Sequence, residues 1–231
     1  MMRRIIILSL ATTGLVLAYS QSLLAAGLPA VFNTVEVRAD RQLALPQWRR
    51  VLEKIEAEQP VYAACAEARP ACTSRAAVGW QVLLVELQGL DRLDQVKAVN
   101  RFVNRIPYQP DMAVWGKSDY WASPLEFLRL TGDCEDYAIL KYRSLRQLGV
   151  PASDMRMVVV QDTSRDLAHA VLVVMVQDHL LVLDNLTNAL LPQERTPHYV
   201  PYYSVNEDAR WAHLASDGQH LAALRKGAAA R

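Results

Sequence analysis

At Gly149 and Pro151 the chain changes texture, and no other feature constrains its fold as much. Upstream, apolar residues recur at helical spacing. Downstream, residues 155–160, 168–176 and 180–184 form short runs rich in valine and leucine that read as strands. Helices followed by strands is the order of an α+β domain. Trp48, Val51, Leu52 and Ile55 mark one face of a helix from residue 46 to about 58. A second helix is expected over 75–87, ending near Gly89. A third, capped by Asp91 or Asp94, carries Val96, Val99 and Val103 until Pro107 closes it. Ser123-Pro124-Leu125-Glu126 is a helix start with serine as N-cap, proline at the first helical position and glutamate completing a capping box. That short helix stops at Gly132, and a longer one begins at Cys134. Beyond Leu191, the prolines at 192, 197 and 201 predict a loop, and residues 221–231 a frayed helix or tail.

Composition narrows the function. A formal charge of +1 on 231 residues, with no basic stripe, gives no electrostatic case for nucleic acid. Arg3 and Arg4 precede an apolar run over 5–18 and the small residues Ala25, Ala26 and Gly27, the pattern of a secretory signal. The expected organisation is a signal over 1–26 and one domain over 27–231, which places the protein in the periplasm. An uncleaved anchor is the alternative, for which the apolar run is short. In an oxidising compartment, a Cys65–Cys72 disulfide that leaves Cys134 free is the simplest partition; two unpaired, buried thiols are the other.

Gly132-Asp133-Cys134-Glu135-Asp136-Tyr137 carries the chemistry. A helix N-terminus stabilises a thiolate through its free N–H groups and dipole, and a nucleophile needs a base held by a third group. His169 and Asp184 suit those two roles if their strands form a hairpin. A two-residue turn at Gln177-Asp178 pairs Val176 with His179 and sets His169 opposite Leu186, so that Asp184 is its diagonal neighbour on the same face. A three-residue loop puts the two on opposite faces. Each residue alone also has an ordinary structural role: Cys134 as a small core residue, His169 as a satisfied core histidine, Asp184 as a turn residue. Asp133, Glu135 and Asp136 suit the helix dipole as caps, yet three carboxylates beside a thiol disfavour its ionisation. A bound cation removes that conflict, and hard oxygen ligands suit calcium better than zinc; the residues alone leave capping and cation binding both open. Trp115 and Trp121 are candidates for the wall of a groove, core burial being the commoner role.

The run over 108–148, with Trp115-Gly116, Asp119-Tyr120-Trp121, Ser123-Pro124 and Gly132-Asp133-Cys134-Glu135-Asp136-Tyr137-Ala138, resembles the bacterial transglutaminase-like cysteine proteinases. The likeness continues through Ala168-His169-Ala170 and Leu183-Asp184-Asn185. It implies a papain/transglutaminase-like fold with N-terminal helices and a C-terminal antiparallel sheet, and a triad of Cys134, His169 and Asp184. It also implies calcium (Ca2+) dependence with Asp133, Glu135 and Asp136 as ligands. The resemblance further implies a large surface adhesin as substrate, cut near its N-terminus to control biofilm attachment. An inner-membrane receptor for cyclic di-GMP is the implied partner that sequesters the protease. A transglutaminase, in which an amine resolves the same thioester, and a non-catalytic binding module are the rival readings.

Overall fold

The structure is a computed structural model that describes residues 28–40, 45–67, 72 and 74–214. The expected signal and the expected C-terminal tail lie outside the described residues. Strand β1 (Val35–Asp40) precedes a helical half. That half comprises α1 (Pro46–Ala57), α2 (Gln59–Ala66), α3 (Arg75–Leu87), α4 (Arg92–Val103), α5 (Asp111–Trp115), α6 (Pro124–Leu130) and α7 (Cys134–Gln147). Six strands follow: β2 (Met155–Asp162), β3 (Leu167–Val176), β4 (His179–Leu183), β5 (Leu191–Pro192), β6 (Tyr199–Val205) and β7 (Ala209–Leu214). Among the described residues no helix is long and apolar enough to cross a membrane.

Local chemistry sets the helix ends. Ser74 accepts the Ala77 N–H to start α3, and Asp91 accepts the N–H groups of Leu93 and Asp94 to start α4. The Ser123–Glu126 capping box is formed at α6. The sequence reading places no helix over residues 59–66, where α2 forms. Pro60 occupies the first turn of α2, where a missing N–H costs nothing. The Cys65–Cys72 disulfide then ties the end of α2 to the start of α3.

The seven strands form one antiparallel sheet in the order β1-β7-β6-β2-β3-β4-β5. The expected loop after Leu191 is therefore wrong: it contains β6 and leads into β7. Pro201 misleads because it sits at a bulge, where the pairing of β6 with β2 slips between Val159 and Val160. Strand β1 escapes notice because its pattern is inverted. Val35 and Val37 are exposed, whereas Glu36 turns inward to meet Arg156 at 2.6 Å.

The sheet is buried on both faces near its centre, which is why β2 and β3 read as continuous apolar runs. Met157, Val159, Leu172, Val174 and Leu183 face the helices and join Trp48, Trp80, Val99, Phe127, Ile139 and Leu145 in the main core. Val158, Val160, Val171, Val173, Val182 and Tyr199 face the other way, against Val31 and Phe32 of the segment before β1.

The hairpin has the two-residue turn. Val176 pairs with His179 and Leu172 with Leu183, while Gln177 and Asp178 take positive φ values of 47° and 56°. Side chains other than glycine and asparagine pay for that conformation at each position. Replacing Gln177→Asn together with Asp178→Gly is expected to stabilise the fold by about 1 kcal/mol, read as a rise of roughly 2–4 °C in the midpoint of thermal unfolding.

Candidate active site

Cys134 opens α7, and α7 lies along β3. Strand β4 stops at Leu183, opposite Leu172, so the earlier part of β3 is left open along that edge. There the backbone N–H of Ala170 is near enough to the Cys134 sulfur to favour its ionised form. His169, one residue earlier, shares the face of Val171 and Val173, away from the helices, and so do Asp184 and Tyr199. The hairpin register brings His169 and Asp184 together: Nε2 of His169 lies 2.9 Å from Oδ1 of Asp184, and both side chains are buried.

Asp184 is held by more than histidine. Its Oδ1 also accepts the Leu186 N–H at 3.0 Å, and its Oδ2 accepts the Tyr199 hydroxyl. Burial works to raise the Asp184 carboxyl. The hydrogen bond and charge of His169, the Tyr199 hydroxyl and the Leu186 N–H outweigh burial and hold it below the usual carboxylate range. Burial and then the bond to Asp184 push Tyr199 up, so it remains a donor. Tyr199 is a site residue the sequence reading misses, since β6 is hidden there by its prolines.

The thiol is differently placed. Cys134 Sγ donates to Glu135 Oε2 at 3.0 Å, and among the described residues no hydrogen bond joins it to His169. Burial raises the thiol well above its ordinary value; the charge and hydrogen bond of Glu135 and the charge of Asp133 add to this, and the Ala170 N–H opposes it. Bonding of Nε2 to Asp184 leaves Nδ1 of His169 as the nitrogen available to a thiol.

Carboxylates crowd the same helix start. Asp133, Cys134 and Glu135 offer ligand atoms within 4.8 Å of one another, and so do Asp111, Asp133 and Asp136. Asp136 is fully buried, with Oδ1 accepting the Ala122 N–H at 2.6 Å and Oδ2 the Asp133 N–H at 3.3 Å. Asp111 is the member the sequence misses. Its Oδ2 accepts the Tyr120 N–H, and α5 reaches the site because Tyr108 bridges Gly132 and the Gln109 N–H bonds the Gly132 carbonyl at 2.9 Å. No local signal in Gln109-Pro110-Asp111 announces that pairing. Trp121 is a core residue, while Trp115 is partly buried and stacks on Tyr120.

Whether these residues fit a calcium ion can be judged from their unmet bonding. Oδ1 of Asp111 and Oδ1 of Asp133 are buried without any partner, and among the described residues no lysine or arginine pairs with Asp111, Asp133, Glu135 or Asp136. Burial, then the charge of Glu135, pushes Asp133 up to about 8; burial pushes Asp111 up to about 6; burial and the charge of Asp133 raise Asp136 well above its usual value. A cluster of hard oxygens that resists ionisation and lacks a counter-ion fits a hard divalent cation.

A helix-borne cysteine laid against an antiparallel sheet is the transglutaminase-like arrangement, and the fold is of that class. The chain belongs to the bacterial transglutaminase-like cysteine proteinases (BTLCP), whose sequence pattern matches residues 54–219. Solved structures of LapG from Legionella pneumophila are similar to it. One is 29% identical with a TM-score of 0.59, over 73% of this chain and 96% of that one. An EGTA-treated form is 28% identical (TM-score 0.58, 73% and 96% covered), and a calcium-bound form is 26% identical (TM-score 0.55, 78% and 98% covered). No curated protein sequence matches the chain.

Two outcomes follow for the carboxylates. A Cβ on Gly132 would stand 1.8 Å from Oδ2 of Asp136, so Gly132→Ala is expected to displace that carboxylate. The measurable result is a lower unfolding midpoint and a smaller rise on adding calcium. The second concerns pH. Folded-state values raised above the unfolded ones mean that cation-free folded protein binds extra protons. That share of stability is complete below the usual carboxylate range and is lost as pH rises through about 6 for Asp111 and about 8 for Asp133. Unfolding midpoints in EGTA should therefore fall between roughly pH 5 and 8, and the gain from calcium should grow over the same interval.

Proposed function

We propose that this protein is a calcium-dependent cysteine endopeptidase of the periplasm that cuts a large surface adhesin near its N-terminus. On the same reading, an inner-membrane receptor for cyclic di-GMP sequesters it and so sets biofilm attachment. The observation that carries the protease reading is the buried His169–Asp184–Tyr199 chain, in a strand whose next residue, Ala170, has its N–H favouring the thiolate of a cysteine at a helix N-terminus. Family membership and the likeness to LapG, one form of which is calcium-bound, support it.

The chemistry follows from the roles. Asp184 fixes the His169 tautomer with its proton on Nε2, leaving Nδ1 as the base. Cys134 turns from Glu135 toward Nδ1 and gives up its proton, and the sulfur attacks the scissile carbonyl. First-turn N–H groups of α7, which have no intrahelical acceptor, are the donors for the oxyanion. The C–N bond breaks as imidazolium returns the proton to the leaving amine. Water, deprotonated by His169, then hydrolyses the thioester. Asp111, Asp133, Glu135 and Asp136 would hold calcium, which supplies positive charge beside the thiol and lowers the cost of ionising it.

The test is cleavage of an adhesin N-terminal fragment by purified protein. Cys134→Ala and His169→Ala should each lower kcat at least about 10³-fold, and Tyr199→Phe about tenfold by loosening Asp184. EGTA should stop cutting and calcium restore it. Insensitivity to EGTA with Cys134→Ala inactive would reduce the carboxylates to helix caps. Amine incorporation without cleavage would favour a transglutaminase.

A further inference from the structure

The short segment before β1 holds a backbone conformation that its side chains disfavour. Phe32 lies in the left-handed region, at φ 51° and ψ 34°, and Asn33 follows at φ 54°. A bulky residue there is an outlier, and such a conformation persists only where the surrounding contacts over-determine it. Here those contacts are specific. The Phe32 N–H donates to Gln193 Oε1 at 2.6 Å, and the Val31 N–H to Glu36 Oε1 at 2.9 Å. Thr34 Oγ1 donates to the Val31 carbonyl at 2.9 Å and lies 2.7 Å from Nδ1 of His213, a buried ring on β7. Gln193, on the single helical turn Gln193–Arg195, is buried as well. Val31 is fully buried in the same cluster as Tyr199, and Phe32 meets Tyr199 at right angles, with ring centroids 6.3 Å apart. His198 at 4.2 Å and His169 at 5.7 Å pack on Tyr199 with tilted rings, while its hydroxyl goes to Asp184 Oδ2.

We infer that Phe32 is a positioning residue for the triad: its ring, anchored by the strained segment and Gln193, fixes the orientation in which Tyr199 presents its hydroxyl to Asp184. This deepens the protease reading proposed above and rests on it. The relay consists of direct contacts, from Phe32 to Tyr199, from Tyr199 to Asp184 and from Asp184 to His169 Nε2. Perpendicular aromatic rings attract beyond the area they bury, because the edge of one meets the electron-rich face of the other; the contact therefore carries an orientation as well as a volume. That orientation matters at Asp184. The His169 ring and the Leu186 N–H both bond Oδ1, whereas Tyr199 bonds Oδ2. With Tyr199 turned away, the carboxylate is held at one oxygen and free to rotate, and the His169 ring loses its fixed partner.

The test is a double-mutant cycle in the full chain, read by the rate at which iodoacetamide alkylates Cys134 near neutral pH; Cys65 and Cys72 are bridged and do not compete. Tyr199→Phe should slow alkylation about tenfold and Phe32→Leu roughly three- to tenfold, short of the roughly 10²-fold that a 1 Å misplacement can cost. The double variant should be no slower than Tyr199→Phe alone, since without the hydroxyl Phe32 has nothing to orient. Effects that multiply would overturn the inference, and so would Phe32→Leu at the wild-type rate. Asn33→Gly separates positioning from stability, because glycine takes the left-handed φ freely and the Asn33 side chain is exposed. Added to Phe32→Leu, it should raise the unfolding midpoint toward wild type and leave alkylation slow. A rate that recovers with the midpoint would overturn the inference, as would a combined variant that cannot fold, since Phe32 would then serve packing alone. His169→Ala distinguishes the two layers. If it alkylates as fast as wild type, the triad itself fails; if it is slow and Phe32→Leu is not, the failure belongs to Phe32.

Discussion

The arrangement turns on the negative charge gathered at the start of α7. Each carboxylate has a local reason to be there. Asp133 and Asp136 flank a helix N-terminus and share the capping contacts, Glu135 lies in the first turn, and Asp111 arrives through the bridge between Tyr108 and Gly132. One such group gains roughly 0.3–1 kcal/mol from the helix dipole. Here Asp111, Asp133 and Asp136 crowd one another, Asp133 and Glu135 oppose the thiolate, and the sulfur gives its hydrogen to Glu135. Among the described residues Cys134 and His169 thus share no hydrogen bond, although the Ala170 N–H favours the thiolate and His169 is the next residue in the strand.

The sheet fixes the other half. Because β4 ends opposite Leu172, α7 can bring its first residue to the open edge of β3, while His169 and Asp184 stay on the far face with Tyr199. That is a consequence of register: a one-residue slip in the hairpin would send Asp184 to the helical side, among Leu172 and Leu183. The positive φ angles at Gln177 and Asp178 are the local cost of the register that keeps His169 and Asp184 together.

Much of this was legible in the sequence wherever the signal is local. The capping chemistry at Ser123 and Asp91, the periodicity of α1, α3 and α4, and the start of α7 at Cys134 are short-range features, and the structure has them. The hairpin was legible only as a choice between two turns, since Gln177-Asp178 lacks the asparagine or glycine that would have settled it. The rest depends on tertiary context. Pro60 and Pro201 are tolerated at a first helical turn and at a bulge, positions defined by neighbours rather than by flanking residues. Strand β1 hides because Glu36 faces inward to Arg156, which in turn lies 3.8 Å over the Trp211 ring. Asp111 and Tyr199 join the site from elements distant in sequence, and neither Pro110-Asp111 nor His198-Tyr199 differs locally from an ordinary turn or strand pair.

The buried carboxylates fall into two groups, and unmet bonding separates them better than burial does. Asp184 receives donors from His169, Tyr199 and Leu186, and its carboxyl is held low. Asp111 and Asp133 each keep a buried oxygen with no donor, and both are pushed up. Desolvation is the first influence on all three, so the sign of the shift is decided by what each carboxylate has been given in exchange for water. A carboxylate fully supplied with donors is a fixed charge, suited to orienting an imidazole and holding its proton on one nitrogen. A carboxylate left undersupplied has bonding capacity that a hard cation can use. The same amino acid is thus suited to two kinds of chemistry within one site, and Tyr199, which the sequence conceals, is one of the donors that puts Asp184 in the first group rather than the second.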